Sequence, residues 1–244
     1  MIVALLTGRK GSKGFRNKHF YKILGHEVAY YPMRAAKKCG SIDKRYISTD
    51  DENLMKMAKE NNFEVIKRPS YLSSDSALSE DVFIHGYNIM QERNKNETID
   101  MIVLLMCNAV SITSAIIQEG ITVLKTNPSY DSAVTVSKYN MWSPIRARKI
   151  DENGFLKPWI PLESFENMGD FNCDRDSQGD VWFADMGVSI VRPHCIENMR
   201  KGLLPQKWMG NRIFPLKQEI GGDLDYEWQT YQAEQWLRLY GEGE

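Results

Sequence analysis

The sequence has few cysteines and no long apolar run, and each absence excludes a class of protein. Its 244 residues include only 4 cysteines, at positions 39, 107, 173 and 195, with no CxxC pair and no histidine at metal-ligand spacing. Widely spaced cysteines favour reduced thiols over a disulfide framework. No segment approaches the roughly 20 apolar residues of a membrane span, and the N-terminal run lacks the pattern of a secretory signal. We therefore expect a cytoplasmic protein without a membrane partner.

The chain also lacks an excess of charge of either sign. It contains 31 Lys and Arg residues and 32 Asp and Glu residues, which gives a formal net charge of −1. This balance argues against a surface built as a whole for nucleic acid or anionic lipid. With 42% hydrophobic and 26% charged residues, the composition is that of a globular protein, and disorder is excluded. The length allows one domain with a small appendage.

Short apolar runs alternate with longer amphipathic stretches, which predicts an α/β fold with parallel strands joined by helices. Two of the runs, IVALL and MIVLLM, are apolar without alternation, as expected of central strands covered on both faces. The predicted strands cover residues 2–6, 45–48, 63–66, 101–106, 133–136, 188–191 and 213–214, and the predicted helices cover residues 28–39, 52–61, 78–92, 114–125 and 227–240.

The alternation breaks after about residue 138. Residues 139–180 are rich in Trp, Pro, Asn and Gly and show no long periodic stretch, which indicates an inserted arm. We therefore expect a single domain over residues 1–244 with an arm at about 139–180.

A cationic, glycine-containing segment follows the first predicted strand. In residues 8–19, GRKGSKGFRNKH, Arg9, Lys10, Lys13, Arg16 and Lys18 surround three glycines. Glycines permit tight turns with inward N–H groups, and the cations suit an anion of high charge density such as a polyphosphate. The segment matches neither the Walker A pattern nor GxGxxG. Its place after a strand favours phosphate binding, and a solvated basic loop is the alternative.

Three later segments carry weaker signals. Asp50 or Asp51 follows a strand, and capping of the next helix is the favoured interpretation. Asp75 or Ser76 is the predicted cap of the helix at 78–92, and Arg68 ends another strand. Asp223 and Asp225 alternate on an extended segment and can present two carboxylates to Mg²⁺, with Leu224 facing the core. A capped turn is the alternative interpretation of this last pair.

Taken in order, these segments resemble the acylneuraminate cytidylyltransferases, the family of CMP-sialic acid synthetases. The resemblance covers most of the chain, and the ordered combination is more specific than any one motif. It rests on Arg9, Ser12, Lys13, Gly14 and Lys18, on STD at residues 48–50, on Arg68, Pro69, Ser74 and Asp75, and on Asp223 with Asp225.

The resemblance implies a three-layer α/β/α nucleotidyltransferase fold, Rossmann-like with a mostly parallel sheet, a small inserted dimerisation arm and a homodimer. It implies CMP transfer from CTP to the anomeric hydroxyl of an acidic 2-keto-3-deoxy sugar, with Mg²⁺ as cofactor. No nucleic acid partner is expected, because the overall charge is balanced and the sequence has no RRM, KH or zinc signature. The implied catalytic residues are Arg9, Lys18 and Asp225, and Asp223 and Asp225 would hold the metal. Arg175 would contact the acceptor. The implied nucleotide site comprises Thr7, Gly8, Arg9, Ser12, Lys13, Lys18, Arg68, Ser79 and Asn108.

Two departures from the family pattern leave alternatives open. His19 stands where the family has asparagine, and residues 106–110, MCNAV, replace the usual Gln-Pro-Thr-Ser-Pro. Asn108 retains a side chain that donates and accepts hydrogen bonds, whereas Met106 cannot replace the glutamine amide. A transferase with another acceptor, such as a sugar phosphate or phosphonate, or with another nucleotide therefore remains an alternative. Two further alternatives receive less support from the sequence. They are a non-catalytic module that binds a nucleotide or RNA, and a glycosyltransferase of similar architecture.

Overall fold

A seven-stranded mixed sheet forms the centre of the molecule in a computed structural model, which describes residues 1–11, 14–165, 169, 171–174 and 176–242. The strands are β1 (Ile2–Thr7), β2 (Lys22–Ile23), β3 (His26–Glu27), β4 (Lys44–Thr49), β5 (Glu64–Lys67), β6 (Met101–Met106), β7 (Ser132–Lys138), β8 (Arg148–Ile150), β9 (Leu156–Pro158), β10 (Trp182–Val191) and β11 (Ile213–Gln218). The α-helices are α1 (Tyr30–Lys38), α2 (Glu52–Glu60), α3 (Ser79–Arg93), α4 (Ser114–Thr126), α5 (Pro193–Glu197) and α6 (Gln229–Tyr240).

The strand order of this sheet is β11-β7-β10-β6-β1-β4-β5. Strand β10 runs antiparallel to both of its neighbours, and the other pairings are parallel. The carboxyl ends of all strands except β10 therefore meet at one edge, where open α/β sheets bind ligands. The prediction of a mostly parallel α/β sheet is confirmed.

Both faces of the sheet are covered, which gives the three layers that the resemblance implied. In β1, Ile2, Ala4 and Leu6 belong to one core cluster, and Val3 and Leu5 belong to the other, since successive side chains point to opposite faces. Helices α1, α2 and α4 pack on the first face, and α3 packs on the second together with α5. Because every position of β1 is buried, its apolar run needs no alternation.

The predicted elements differ from the structure mainly at their ends. Strand β6 has the predicted bounds, whereas β10 begins at Trp182, six residues before the predicted start. Asp51 caps α2 by accepting from the backbone N–H groups of Asn53 and Leu54, as predicted. The predicted cap of α3 is wrong, because the helix begins at Ser79 without a side-chain cap and Asp75 pairs with Arg9 instead.

Residues 139–165 form short 3-10 turns and the antiparallel hairpin of β8 and β9. Apolar side chains on this hairpin face solvent, since Ile150 is 73% exposed and Leu156 is 69% exposed. In the part of the chain that the structure describes, no helix is both long enough and apolar enough to cross a bilayer.

Candidate active site

The candidate site lies at the carboxyl end of β1, where the chain passes over β4 and β6. Thr7 is buried and donates its hydroxyl hydrogen to Met106 Sδ, at 3.1 Å. The next residue, Gly8, donates its N–H to the carbonyl of Ser48 at the end of β4. A Cβ at Gly8 would overlap buried Cys107, so glycine lets the backbone lie directly on the sheet edge.

Arg9 and Lys10 tie the loop to two neighbouring strand ends. The Arg9 guanidinium forms an ion pair with Asp75, at 2.8 Å between Nη2 and Oδ1. The backbone N–H of Lys10 donates to Asp50 Oδ1, also at 2.8 Å. These contacts hold the first part of the loop above β4 and β5. Ser12 and Lys13 lie outside the described residues.

The second part of the loop reaches a segment 207 residues later in the chain. Lys18 Nζ lies 2.7 Å from Asp225 Oδ1, with the lysine side chain 11% exposed and the carboxylate 57% exposed. Gly14 lies against the carbonyl of Asp225, where a Cβ would overlap it. The early cationic loop therefore lies against the segment that carries the late carboxylates, and the surface that they share is the candidate cleft.

Buried cations concentrate positive charge beneath the loop. Arg68 is buried at the end of β5 and donates to the carbonyl of Ser48, at 2.7 Å; burial lowers the pKa of its guanidinium. His19 is also buried. Burial first, and then the neighbouring cations Lys18, Arg68 and Arg9, lower the pKa of His19 to about 4. Such converging cations suit a polyphosphate.

Asn108 holds the segment that carries the two aspartates. Its side-chain amide donates to Asp223 Oδ2 at 3.0 Å and to the backbone carbonyl of Leu224 at 3.1 Å. The backbone carbonyl of Asn108 accepts from the N–H of Leu224. Leu224 is 2% exposed and packs in the core. Burial first, and then the carboxylate of Asp225, raise the pKa of Asp223.

The two aspartates fit a cation shared with a nucleotide. Within the described residues, no group of three or more His, Cys, Asp or Glu side chains could hold a metal. Mg²⁺ commonly takes one or two carboxylates together with substrate phosphates, so Asp223 and Asp225 supply a suitable donor set. A cation here would offset both the burial of Asp223 and the repulsion from Asp225, the two effects that raise the pKa of Asp223.

Among the described residues that the sequence predicted for the site, Ser79 is not brought into the cleft by a described contact. Ser79 is exposed as the first residue of α3, and no hydrogen bond given for the described residues joins it to the loop. Arg175 lies outside the described residues, so its expected contact with the acceptor stays a prediction.

A cavity of about 1030 Å³, which no sequence motif predicted, adjoins residues 221–225, the aspartate segment. Asp223 and Leu224 are among its lining residues, so it reaches the segment that carries the carboxylates. The signal for it was the aromatic content around residues 139–142, 182–183 and 228, which the sequence spreads over three segments. The lining includes the aromatic residues Tyr139, Trp142, Phe183 and Trp228, the acidic residues Asp176, Asp180, Asp185, Glu219 and Asp223, and Lys138.

Comparisons with known proteins identify the family and the fold of the chain. A family model described as Cytidylyltransferase matches residues 3–149. The chain is 26% identical over 155 residues, or 64% of its length, to an N-acylneuraminate cytidylyltransferase of Escherichia coli. It is 23% identical over 240 residues, or 98% of its length, to an N-acylneuraminate cytidylyltransferase of Oncorhynchus mykiss. It spans 35% of the first relative and 51% of the second.

A solved structure shares the fold over nearly the whole chain. The chain is similar to CMP:2-keto-3-deoxy-manno-octonic acid synthetase complexed with CTP, with a TM-score of 0.66 and 11% sequence identity. The alignment covers 97% of this chain and 98% of that one. Residues beyond the family-model match, including β10 and β11, therefore belong to the same fold.

Proposed function

The chain belongs to the cytidylyltransferase family, as its motifs predicted, and on that premise we propose that it transfers CMP from CTP to the anomeric hydroxyl of an acidic 2-keto-3-deoxy sugar. The observation that carries the proposal is the contact between the early loop and the late carboxylates, through Lys18 and Asp225 at 2.7 Å. This contact supports the proposal, because a magnesium triphosphate requires cations for its phosphates and carboxylate oxygens for its metal side by side.

The reaction is a displacement at phosphorus. The hydroxyl oxygen of the acceptor attacks the α-phosphorus of CTP, the hydroxyl proton is released, and pyrophosphate departs as the bond from the α-phosphorus to its bridging oxygen breaks. Negative charge grows on the leaving and equatorial oxygens, so positioned cations contribute more than a covalent nucleophile. Arg9 and Lys18 supply such cations in the proposal, and Asp75 and Asp225 orient them through ion pairs.

Asp223 and Asp225 are the proposed magnesium ligands. When bound, Mg²⁺ neutralises phosphate charge during the displacement. Asn108 fixes Asp223 through its side-chain amide, and Lys18 fixes Asp225, so both carboxylates are oriented by neighbours on other elements.

The cavity beside Asp223 is the proposed acceptor site. Relatives named N-acylneuraminate cytidylyltransferase support an acidic sugar as acceptor, and the aromatic lining supplies apolar faces for a sugar. Lys138 is a cation in the described lining, and it pairs with Asp180 at 2.5 Å. Arg175 is the further residue that we propose for the acceptor carboxylate.

The same cavity favours the second candidate function, transfer to another acceptor or from another nucleotide. Its described lining has more carboxylates than cations, which disfavours an anionic acceptor. At the end of β6, the sulfur of Met106 accepts a hydrogen bond from Thr7. The side chain of Met106 has no amide group that could bind a substrate. Acceptors with neutral or cationic substituents therefore belong in the assay beside sugar acids, sugar phosphates and phosphonates.

We also propose that the protein is a cytoplasmic homodimer whose contact includes the hairpin of β8 and β9. The exposed apolar side chains of the hairpin support this contact, because monomers rarely leave large apolar patches in solvent. All of the cysteines are free, and three of them are buried, which suits a reducing compartment.

The test is pyrophosphate release with Mg²⁺, each nucleoside triphosphate in turn, and a panel of acceptors. We expect release with CTP and a sugar acid, and a loss of about a hundredfold in turnover for Arg9→Ala, since one charge contact contributes roughly 2 to 4 kcal/mol to the transition state. Arg93→Ala is the matched control, because Arg93 also pairs with a carboxylate at the surface, Glu64, and lies at the far end of α3. Near-wild-type release by Arg9→Ala would reject the role of Arg9, and release only with another triphosphate or acceptor would establish the second candidate.

A further inference from the structure

Strand β10 carries a bulge where it passes the cavity. Its pairing with β7 runs from Ala184 opposite Val136 to Ser189 opposite Val134, so residues 185–188 stand opposite one residue, Thr135. The Thr135 hydroxyl accepts from the N–H of Val188 at 2.9 Å, and Met186 adopts a positive φ of 59°. Bulges next to functional sites redirect side chains, and such backbone strain persists only where surrounding contacts impose it.

The bulge turns the carboxylate of Asp185 into the protein interior. Asp185 is 7% exposed. It accepts the hydroxyl hydrogen of Ser137 at 2.6 Å, an amide hydrogen of Gln218 at 2.8 Å and the N–H of Gly187 at 3.1 Å. No ion pair involves Asp185 among the residues that the structure describes, so these donors, rather than a cation, offset the cost of burying its charge.

The hydrogen bonds continue from Asp185 to the start of the aspartate segment. Ser137 donates to Asp185 and its oxygen accepts from the N–H of Gly221, at 2.8 Å. The Tyr139 hydroxyl donates to the carbonyl of Gly221, at 2.6 Å. A side chain at Gly221 would overlap Asp185 and Gln218, so glycine allows this close approach. Both backbone polar groups of Gly221 are therefore held by β7 and the residue after it.

Residues 221–225 are thus fixed at two places. Gly221 is held through Ser137 and Tyr139, and Leu224 is held through Asn108. Gly222, between the two anchors, has a φ of 156°. Because Asp223 follows Gly222 directly, its carboxylate position depends on the anchor at Gly221 as well as on Asn108.

We propose that Asp185 is a positioning residue which, through Ser137 and Gly221, holds the carboxylates of Asp223 and Asp225 for a divalent cation. The proposal rests on the proposed function, since that cation is the one bound with CTP. The negative charge of Asp185 polarises the Ser137 hydroxyl and strengthens its hold on the N–H of Gly221. An amide at position 185 would turn its NH2 group either toward Ser137 and Gln218, which both donate to Oδ2, or toward the N–H of Gly187, which donates to Oδ1. In either orientation it removes the negative charge that strengthens the anchor, so the anchor would loosen.

The experiment measures cation binding directly. Mn²⁺ is titrated by electron paramagnetic resonance into the full-length protein with CTP and without acceptor, for wild type, Asp185→Asn and Ser137→Ala. We expect the Mn²⁺ dissociation constant to rise about tenfold to a hundredfold in both variants, as found for residues that orient metal ligands. In both variants, we expect faster hydrogen exchange than in the wild type for the peptide that covers residues 219–226. We also expect the turnover of both variants to recover at high Mg²⁺ concentration.

Asp131→Asn is the matched control. Asp131 is a buried carboxylate that precedes β7, at the opposite end of the strand from Ser137, and it accepts from the N–H groups of Asn211 and Arg212, each at 2.9 Å. Its replacement is expected to lower stability without changing Mn²⁺ affinity. The proposal would be overturned if Asp185→Asn and Ser137→Ala bound Mn²⁺ as tightly as the wild type. It would also be overturned if Asp131→Asn lost as much Mn²⁺ affinity as these variants, or if the wild type bound no Mn²⁺.

The two proposals fail separately. Weakened Mn²⁺ binding in Asp185→Asn without pyrophosphate release by the wild type would support the positioning role and reject the transferase reaction. Pyrophosphate release by the wild type with unchanged Mn²⁺ affinity in the variants would support the reaction and reject the positioning role.

Discussion

At the scale of single residues, the cleft combines buried cations with a histidine kept neutral. His19 is buried next to Lys18, and with Arg68 and Arg9 nearby its pKa falls to about 4. A protonated imidazole there would add charge to a site already rich in cations. A neutral ring has one donor and one acceptor, so in the proposed nucleotide site histidine would keep the hydrogen-bonding capacity of the asparagine that it replaces.

The lowered pKa of His19 predicts a loss of stability in acid. Between about pH 6.5 and pH 4 the unfolded chain binds a proton at this position that the folded protein does not, so the free energy of unfolding falls as the pH drops through this window. We expect His19 to account for about 2 kcal/mol of the decrease between about pH 7.5 and pH 5. Urea unfolding at both pH values should give a smaller decrease for His19→Gln, and equal decreases would contradict the assignment.

At the scale of elements, strand ends and the loops after them form the site. The loop after β1 is held by Asp50 after β4 and by Asp75 after β5, and Asn108 after β6 holds the segment before α6. The hairpin of β8 and β9 differs, because it extends apolar side chains into solvent rather than toward the cleft.

The exposed hairpin predicts the effect of substitution on oligomeric state. Ile150→Ser with Leu156→Ser should convert a dimer into a monomer, because burial of such side chains contributes about 1.5 to 3 kcal/mol each. Sedimentation velocity would measure the change. Leu239→Ser on α6 is the matched control, since Leu239 is a similarly exposed leucine on another element. A dimer that survives the double substitution would place the contact elsewhere.

At the scale of the whole molecule, the sheet topology brings distant parts of the chain to one edge. The antiparallel β10 lies between the parallel β6 and β7, and the cavity lies where β7, β10 and the end of β11 pass the aspartate segment. A ligand in the proposed site between the loop after β1 and the aspartate segment would contact both ends of the sequence, so its binding would be coupled to global unfolding.

This coupling predicts a thermal shift with the correct nucleotide. At 100 times its dissociation constant, CTP with Mg²⁺ should raise the free energy of unfolding by about 2.7 kcal/mol, which is a rise of roughly 5 to 10 °C in Tm for a chain of this length. UTP, ATP and GTP at the same concentration serve as the comparison in differential scanning fluorimetry. A larger shift with one of these three would assign a nucleotide other than CTP.

Much of the fold was predictable because its signals are local. Strand β6 is a continuous apolar run with the predicted bounds, and Asp51 caps α2 by a contact within three residues. The first half of β10 was missed because residues 182–187 lack regular alternation and include the bulge. Asp75 was misassigned as a cap because its partner, Arg9, lies 66 residues away in the chain.

The sequence by itself determined the layered α/β architecture, the cationic loop after β1 and the alternating pair of aspartates, because each depends on residues near one another in the chain. Only the tertiary structure decided that Lys18 meets Asp225, that a cavity opens beside Asp223, and that Asp185 is linked through Ser137 to Gly221. These contacts join residues separated by tens to hundreds of positions. The order of strands in the sheet sets such distances, and no local pattern of side chains encodes that order.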